Sequence, residues 1–185
     1  MKALLYLIIA YLVGSIPTGY LIARWCGVQD IRKHGSGNIG ATNVARMLGH
    51  NYFFIVLFID ALKAFLCITC GYSIVTEESY VHFLSTFLLL GNGHSLFLHF
   101  TGGKGVGTAV GMLTAFSFSL LLSFIGIWLA IFLLTHIAGL ASIVALVLLP
   151  CIGYYSAYNT FIIQLFIALW CLYRHRDNIK KLVKK

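Results

Sequence analysis

The sequence predicts an all-α integral membrane protein, and three observations support this prediction: the composition, the long apolar runs and the clustering of basic residues. Of the 185 residues, 60% are hydrophobic and only 10% are charged, whereas soluble domains average about 25% charged residues. No long polar stretch separates the apolar runs, so we expect a single transmembrane domain over residues 1–185. The net charge of +8 is first a topology signal, and we expect no nucleic-acid partner.

The first apolar run, from about Ala3 to Trp25, is predicted to be a retained helix, because no usual signal-peptide cleavage site follows it. Pro17 interrupts this run near its middle, within a stretch of small residues from Gly14 to Gly19. Proline removes a backbone donor and kinks a helix. The stretch is therefore either a kink beside a polar site or a small-residue packing face, and the sequence favours neither.

Basic residues predict which side of the membrane each polar segment faces. The first polar segment, Arg24 to Gly49, carries an excess of basic residues over Asp30, so the positive-inside rule places it in the cytoplasm and the N-terminus outside. A second helix is expected over about Asn51 to Tyr72 and a third over about Tyr80 to Gly91. The acidic loop between them, Thr76 to Ser79, is predicted to face outward.

The segment from Val106 to Tyr173 has no Lys, Arg, Asp or Glu, and the basic tail after it limits its number of helices. The tail should stay inside, which requires an even number of crossings. With two crossings, too many apolar residues of this segment would lie outside a membrane helix. We therefore expect four short, broken helices here and about seven transmembrane helices in all. The C-terminus is then cytoplasmic. The predicted breaks are Ser117–Ser119, Thr135–Gly139 and Pro150–Asn159, and His136, at one of them, is expected to be a buried histidine and not a ligand.

The most polar window of the chain runs from His34 to Gly49, and its composition suits a phosphate. Its glycines allow tight turns and close approach of the backbone to a ligand, while Arg46 adds a planar fork of donors. Backbone N–H groups and one arginine together form a phosphate cradle. A solvated loop between two membrane helices is the alternative. The residues expected to bind phosphate are Gly35, Gly37, Asn38, Gly40, Asn43 and Arg46.

A second polar segment, from Gly91 to Gly105, contains His94 and ends in Gly102-Gly103-Lys104-Gly105 at the expected start of a helix. Glycine N–H groups and a lysine at a helix start again suit a phosphate. The run is not a Walker A motif, because Leu98 stands where that motif needs a glycine and Gly105 where it needs Ser or Thr. An ATPase is therefore excluded.

Asp60 and Lys63 are three residues apart on the second predicted helix, so they share one helical face. Charges inside a membrane are unfavourable and are usually paired or functional. A self-neutralising structural pair is favoured here over direct catalysis. The five cysteines complete no zinc site with the histidines, and we expect neither a metal nor a cofactor.

Four segments together resemble the bacterial acyl-phosphate:glycerol-3-phosphate acyltransferase (PlsY) family, in order and spacing over nearly the whole chain. They are Gly14–Tyr20, Gly35–Arg46, Gly102–Val106 and Arg174–Ile179, and Asp60–Lys63 is similar to the family's second helix. The segment Gly35–Arg46 is the most specific. The second polar segment differs from the family pattern, since Gly93-His94 reaches Gly102 in seven residues and without a proline.

The resemblance implies a metal-independent enzyme of phospholipid synthesis in the bacterial cytoplasmic (inner) membrane, with its site on the cytoplasmic face. Such an enzyme transfers a fatty acyl group from acyl phosphate to the 1-hydroxyl of glycerol 3-phosphate. The products are 1-acylglycerol 3-phosphate (lysophosphatidic acid) and inorganic phosphate. The partners implied are glycerol 3-phosphate, acyl phosphate and membrane lipids, with no cofactor.

Because both of these substrates carry phosphate, Arg46, Lys104 and Arg176 are candidate phosphate clamps, with the loop glycines beside them. Ser36 is either an acyl-carrying nucleophile or a hydrogen-bond donor to phosphate, and the second role is favoured. The general base is His175, His94 or a substrate phosphate, whose second pKa is about 6. The candidate catalytic residues are Ser36, His175 and Asn178; Asn38, Asn43 and Asn178 are expected to orient substrate oxygens, with His94, Asp60 and Lys63 in support.

Two rival functions share these features. A small transporter of anions or phosphate compounds also has broken helices, glycine loops and basic residues. Against it, the polar segments all fall on one predicted face of the membrane, and no repeat relates the two halves of the chain. An acyltransferase that uses acyl-CoA differs only in its donor.

Overall fold

The computed structural model describes residues 1–156 and 160–183, and these residues form ten α-helices joined by short connections. Three helical spans among them, Lys2–Trp25, Asn51–Ile74 and Phe118–Thr135, are long and apolar enough to cross a membrane. The prediction of an all-α protein is thus confirmed over these residues, while the count of seven crossings stays a prediction. The helices are α1 Lys2–Ser15, α2 Thr18–Trp25, α3 Ala41–Leu48, α4 Asn51–Ile74, α5 Glu78–Gly93, α6 Val106–Phe116, α7 Phe118–Thr135, α8 Ala138–Ser156, α9 Phe161–Arg174 and α10 Arg176–Val183.

The first apolar span is broken where the sequence predicted, between α1 and α2. Pro17 disfavours helical dihedrals at the residue before it, and Ile16 accordingly leaves the helical region, with φ −59° and ψ 113°. The Ile16 carbonyl that this break releases accepts a hydrogen bond from Nζ of Lys63 on α4, at 2.7 Å. The break is therefore satisfied by protein, as the apolar interior of a bilayer requires.

Small residues bring α1 and α5 into close contact. A Cβ at Gly14 would collide with the backbone of Leu88, and one at Gly91 would collide with the backbone of α1 at Tyr11. Membrane helices associate closely where small residues let their backbones approach. Farther along the same interface, the hydroxyls of Tyr6 and Ser85 are 2.9 Å apart and both are buried. Gly14 therefore belongs to a small-residue packing face.

The window that the sequence predicted as a polar loop contains a helix, α3, and this corrects the prediction for its second half. α3 is flanked by Gly40 and Gly49, and its buried side chains are Asn43 and Val44. The helix has only eight residues, so its apolar face is too short to give a clear periodic signal. Arg46 therefore lies on a helix and not in a flexible loop.

The segment after Val106 forms four helices, α6 to α9, as predicted. Two of the three predicted breaks lie at Ser117 and at His136–Ile137. The third prediction is partly wrong: Pro150 lies inside α8, which continues to Ser156, and residues 157–159 lie outside the described part of the chain. Proline is tolerated in membrane helices when neighbouring groups satisfy the freed carbonyl. His136 is exposed in a left-handed conformation after α7 (φ 54°), so its prediction as a buried histidine is wrong.

The chain divides into two compact units, Met1–Met112 and Leu113–Lys185, and each is described by itself. In the first unit, α1 packs against both α4 and α5, and α3 packs against α4. In the second unit, α8 packs between α7 and α9, and α10 follows α9. Both glycine-rich segments lie in the first unit, whereas the predicted catalytic residues His175 and Asn178 lie in the second.

Candidate functional site

Two loops of the first unit carry most of the residues predicted to bind phosphate. We call residues 26–40, between α2 and α3, the first loop, and residues 94–105, between α5 and α6, the second loop. In the first loop, Gly35 and Gly37 have φ values of +58° and +72°, which L side chains rarely adopt. Gly105 has φ +83° at the end of the second loop. These three positions therefore require glycine for the path of the backbone.

Asn43, on α3, anchors the first loop through hydrogen bonds to the loop backbone. Its side chain is 1% exposed, its Oδ1 accepts a hydrogen bond from the backbone N–H of Ser36 at 2.9 Å, and its Nδ2 donates to the carbonyl of His34 at 3.0 Å. A longer contact of 3.4 Å joins Nδ2 to the carbonyl of Ile31. A Cβ at Gly35 would collide with Oδ1 of Asn43. The amide of Asn43 is therefore engaged by the loop backbone, and its predicted role in phosphate binding stays a prediction.

Two of the predicted glycine donors are also engaged. The N–H of Gly37 donates to the carbonyl of His34 at 3.0 Å, and the N–H of Gly103 donates to the carbonyl of Asn92 at 2.8 Å. In this conformation neither N–H group points to a ligand, which corrects the prediction for these two donors. Gly103 instead lets the second loop lie directly against the end of α5, where a side chain would meet Oδ1 of Asn92.

Arg32 and Asp30 form an ion pair in the first loop that the sequence analysis did not identify. The guanidinium of Arg32 donates to both carboxylate oxygens of Asp30 at 2.8–3.2 Å, and its backbone N–H donates to Oδ1 at 3.0 Å. These hydrogen bonds lower the pKa of Asp30 to about 2, so its carboxylate stays ionised until the pH falls towards that value. The guanidinium also lies over the ring of Tyr20, 5.4 Å from its centroid. This pair fixes the middle of the first loop.

The second loop is a tight structure anchored to α1. Ser95 pairs with Thr101 in an isolated antiparallel bridge, and the buried Oγ of Ser95 donates to the carbonyl of Ser15 at the end of α1. Between them, His99 and Phe100 have positive φ values of 52° and 59°. Such values are uncommon outside glycine, and the surrounding contacts must hold them. The second loop is therefore held in one conformation, which sets the positions of Gly102 and Lys104 near its end.

The two loops contact each other. Nη1 of Arg32 in the first loop donates to Oγ1 of Thr101 in the second at 3.1 Å. Ile39 lies within 3.6 Å of the position that a Cβ on Gly103 would occupy. Beneath this contact, Leu98 of the second loop belongs to the same buried apolar cluster as Ile31 and Ile39 of the first. The structure thus brings together the two glycine-rich segments, which are separated by more than fifty residues in the sequence.

One predicted phosphate-binding cation follows the first loop and another lies within the second. Arg46 is exposed in the last turn of α3, the helix that follows the first loop. Lys104 is half-buried, two residues before α6 begins. Ser36 is exposed and Asn38 is half-buried in the first loop. His94 is half-buried at the end of α5, and its carbonyl accepts the hydroxyl of Tyr11 at 2.8 Å.

The ion pair predicted between Asp60 and Lys63 is present, with Nζ 2.6 Å from Oδ1. This ion pair lies beside the break between α1 and α2. Lys63 donates to the Ile16 carbonyl at the end of α1, and Oγ1 of Thr18, at the start of α2, donates to Asp60 at 2.8 Å. Cations are favoured at helix C-termini and carboxylates at helix N-termini, so each charge lies at the helix end that stabilises it.

The remaining predicted residues lie in the second unit, at the junction of α9 and α10. His175 is 2% exposed, and its Nδ1 lies 2.9 Å from the carbonyl of Cys171. The amide of Asn178 contacts the backbone at Gly139, close to the start of α8. Arg176 is exposed, with its guanidinium 4.8 Å from the centroid of the Tyr173 ring. Among the described residues, no three His, Cys, Asp or Glu side chains form a group that could hold a metal ion.

Apolar spanning helices and two apposed glycine-rich loops define a class, that of helical membrane proteins with a polar, glycine-rich loop surface. Comparison with known proteins gives the family. A family model described as glycerol-3-phosphate acyltransferase matches residues 4–185. The glycerol-3-phosphate acyltransferase of Aquifex aeolicus is 41% identical over 186 residues, covering 99% of this chain and 96% of that protein. The one from Thermotoga petrophila is 37% identical over 180 residues, covering 97% and 92%.

Comparison with solved structures gives the same family. The glycerol 3-phosphate form of PlsY (YgiH), an integral membrane glycerol 3-phosphate acyltransferase, is similar to this chain with a TM-score of 0.92 and 39% identity. The lysophosphatidic acid form of PlsY gives a TM-score of 0.91 and 38% identity. Each match covers 100% of this chain and 93% of the solved one. The chain belongs to the glycerol-3-phosphate acyltransferase family of integral membrane enzymes.

Proposed function

We propose that this chain transfers a fatty acyl group from acyl phosphate to the 1-hydroxyl of glycerol 3-phosphate, in the first acylation of bacterial phospholipid synthesis. The products are 1-acylglycerol 3-phosphate and inorganic phosphate. We place the enzyme in the cytoplasmic (inner) membrane with its site on the cytoplasmic face, where the basic first loop is expected to lie. Membership in the family supports the acceptor and the reaction type.

The observation that carries the choice of donor is the contact between the two loops. Each loop is rich in glycine; Lys104 lies within the second loop, and Arg46 lies in the last turn of α3, the helix that follows the first loop. Two phosphate-binding elements side by side suit a reaction in which both substrates carry a phosphate close to the reacting group. Acyl phosphate and glycerol 3-phosphate meet this condition, whereas acyl-CoA carries its phosphates far from the thioester.

The chemistry requires positioning more than a strong nucleophile. The 1-hydroxyl oxygen attacks the carbonyl carbon of the acyl phosphate, the bond from that carbon to the phosphate oxygen breaks, and inorganic phosphate leaves. The proton of the hydroxyl passes to a base. Because phosphate is already a good leaving group, holding the two substrates together and stabilising the negative charge on the carbonyl oxygen accounts for most of the acceleration. Arg46, Lys104 and Arg176 are the cations that we assign to the phosphates.

We assign the remaining roles as follows. Ser36 donates a hydrogen bond to phosphate, and Asn38 and Asn178 orient substrate oxygens. Asn43 acts through the first loop that it holds. The base is His175, His94 or a substrate phosphate. A hydrogen bond from Nδ1–H of His175 to the Cys171 carbonyl, which the 2.9 Å separation permits, would place the lone pair of the neutral ring on Nε2, the form that a general base needs.

The donor is tested by supplying purified protein with labelled glycerol 3-phosphate and either palmitoyl phosphate or palmitoyl-CoA. We expect labelled 1-acylglycerol 3-phosphate with palmitoyl phosphate alone. Arg46→Gln and Lys104→Gln should each raise a substrate KM by about 10- to 100-fold, the range for loss of one charge-assisted hydrogen bond. Lys2→Gln, which removes a charge at the start of α1, is the matched control and should leave both KM values unchanged.

Product from palmitoyl-CoA would contradict the donor assignment and leave an acyl-CoA-dependent enzyme. Absence of product with either donor, from folded protein that takes up glycerol 3-phosphate into proteoliposomes, would support a transporter instead. The base is tested with His175→Ala and His94→Ala. Loss of turnover with retained substrate binding in one of them identifies that histidine, and retained turnover in both assigns the proton to a substrate phosphate.

A further inference from the structure

A groove beside the first loop is not used by the proposed reaction. It has a volume of about 580 Å³, within the range of about 300–1,000 Å³ that is usual for ligand sites. Its walls come from the end of α2, with Tyr20 and Arg24, and from the start of the first loop, with Gly27, Lys33 and His34. None of these five residues belongs to the predicted phosphate-binding set.

The charge of this groove is positive, although Asp30 also lines it. The carboxylate of Asp30 is bound by Arg32, and the two charges compensate each other. Arg24 and Lys33 remain, and both are exposed. Nη1 of Arg24 donates to the hydroxyl of Tyr20 at 3.2 Å, which orients the guanidinium along the groove wall. Two cations that line the same groove suit a phosphate group.

The groove also adjoins an apolar strip that a soluble phosphate would not use. Leu21 and Trp25 are 50% and 91% exposed, and they lie one helical turn apart on α2. Arg24 lies three residues after Leu21, so the cation stands beside the same strip. Trp25 ends the first membrane-spanning candidate, the position at which tryptophan marks a membrane–water interface. Cations above an exposed apolar strip match an amphiphile, with its headgroup over Arg24 and its chains along Leu21.

We propose that this groove binds the headgroup phosphate of an anionic bilayer phospholipid, with Arg24 and Lys33 as its ligands. The lipid phosphate lies between the guanidinium and the ammonium group, and the acyl chains follow Leu21 and Trp25 into the bilayer. The site is separate from the Arg46 and Lys104 positions assigned to the substrates. It requires only that the chain is an integral membrane protein and does not depend on the proposed donor.

Native mass spectrometry of the purified protein with equal amounts of phosphatidylglycerol and phosphatidylcholine tests the proposal. The first lipid bound to the wild type should be phosphatidylglycerol, by about 30-fold, which corresponds to about 1 kcal/mol for each of two basic residues. R24Q/K33Q should lose this preference. R24K/K33R retains both charges and should keep most of it, and K2Q, at the other end of the span, should keep all of it.

Three results would overturn the proposal. The first is an unchanged preference in folded R24Q/K33Q. The second is a loss of preference in K2Q as large as in the double variant, which would mean that charge at any position suffices. The third is displacement of bound phosphatidylglycerol by millimolar inorganic phosphate or glycerol 3-phosphate, which would assign the groove to a soluble phosphate. Retention of bound phosphatidylglycerol in the presence of either soluble anion supports a lipid site.

Discussion

Asn43 lies under the first loop and binds that loop's backbone through both ends of its amide. A backbone group that is buried without a partner costs about 1–3 kcal/mol. Loss of the Asn43 amide would leave the Ser36 N–H and the His34 carbonyl without their present partner. The position of Ser36 therefore depends on a side chain seven residues later in the sequence.

Replacement of Asn43 by alanine should lower the free energy of unfolding by about 1–3 kcal/mol, because the Ser36 N–H loses its acceptor and the His34 carbonyl keeps only the Gly37 N–H. Thermal unfolding in detergent measures this change. Asn38→Ala is the matched control: it removes the same amide from a half-buried position in the same loop, and it should lower activity while the melting temperature stays near that of the wild type. Equal melting temperatures for the two variants would contradict the positioning role of Asn43.

Within the first loop, the glycines were easier to predict than the ion pair. The glycine-rich pattern indicated tight turns, and Gly35 and Gly37 do have positive φ values. The pairing of Asp30 with Arg32 escaped prediction because two residues separated by one position in an irregular loop share no helical or strand periodicity. The contact from Arg32 to Thr101 spans 69 residues, and no local pattern encodes it.

Among the helices, the break between α1 and α2 depends most on long-range contacts. The Ile16 carbonyl accepts the ammonium group of Lys63 on α4 as well as the nearby Thr18 N–H, and Asp60 on α4 accepts the hydroxyl of Thr18 at the start of α2. The side chains of this ion pair are only 10% and 13% exposed. Removal of one member of a buried pair is strongly destabilising, because it leaves an uncompensated charge.

Lys63→Met should therefore lower the free energy of unfolding by about 3–5 kcal/mol, since Asp60 loses its countercharge and keeps only the Thr18 hydroxyl, and the Ile16 carbonyl loses its charged donor. In the double variant Asp60→Asn/Lys63→Met no buried charge remains, so it should recover part of this loss. Thermal unfolding of the two variants and of Asp60→Asn gives the coupling between the residues. A Lys63→Met protein as stable as the wild type would show that the pair does not hold the break.

Sequence patterns predicted the breaks between helices better than the short helix inside the polar window. Pro17 and the polar residues near Ser117 and His136 interrupt long apolar runs, and such interruptions are visible without any tertiary contact. α3 has two turns between glycines and buries little, so its helix depends on the contacts of Val44 with the loops. The break predicted over Pro150–Asn159 begins later than Pro150, because α8 continues through the proline to Ser156.

For the whole molecule, the distribution of basic residues predicts the orientation in the membrane. Composition alone indicated a membrane protein, and the loop segments indicated the family, which the comparisons confirm. The number of crossings depends on a parity argument, because the four helices after the second loop, α6 to α9, have fewer than 20 residues each. The orientation therefore needs a measurement of its own.

Labelling of single cysteines supplies that measurement in a variant whose five native cysteines are replaced by serine. With a membrane-impermeant maleimide, Thr76→Cys should react in intact cells, because the loop between α4 and α5 is expected to face outward. Lys33→Cys and Lys180→Cys should react only after the cytoplasmic side is opened. Reaction of Thr76→Cys and Lys33→Cys from the same side would contradict the proposed topology.

The dependence of the α1–α2 break on Lys63 also affects how the nascent chain is inserted. Lys63 follows Ile16 by 47 residues, so at about 5–20 residues per second the ribosome needs about 2–10 s to synthesise the partner of that carbonyl. During this interval the Ile16 carbonyl has only the local hydrogen bond from the Thr18 N–H, at 3.1 Å, and lacks the charged partner that completes its hydrogen bonding in the apolar interior. We therefore expect the insertion machinery to retain the first span until α4 arrives, so that both helices enter the lipid together.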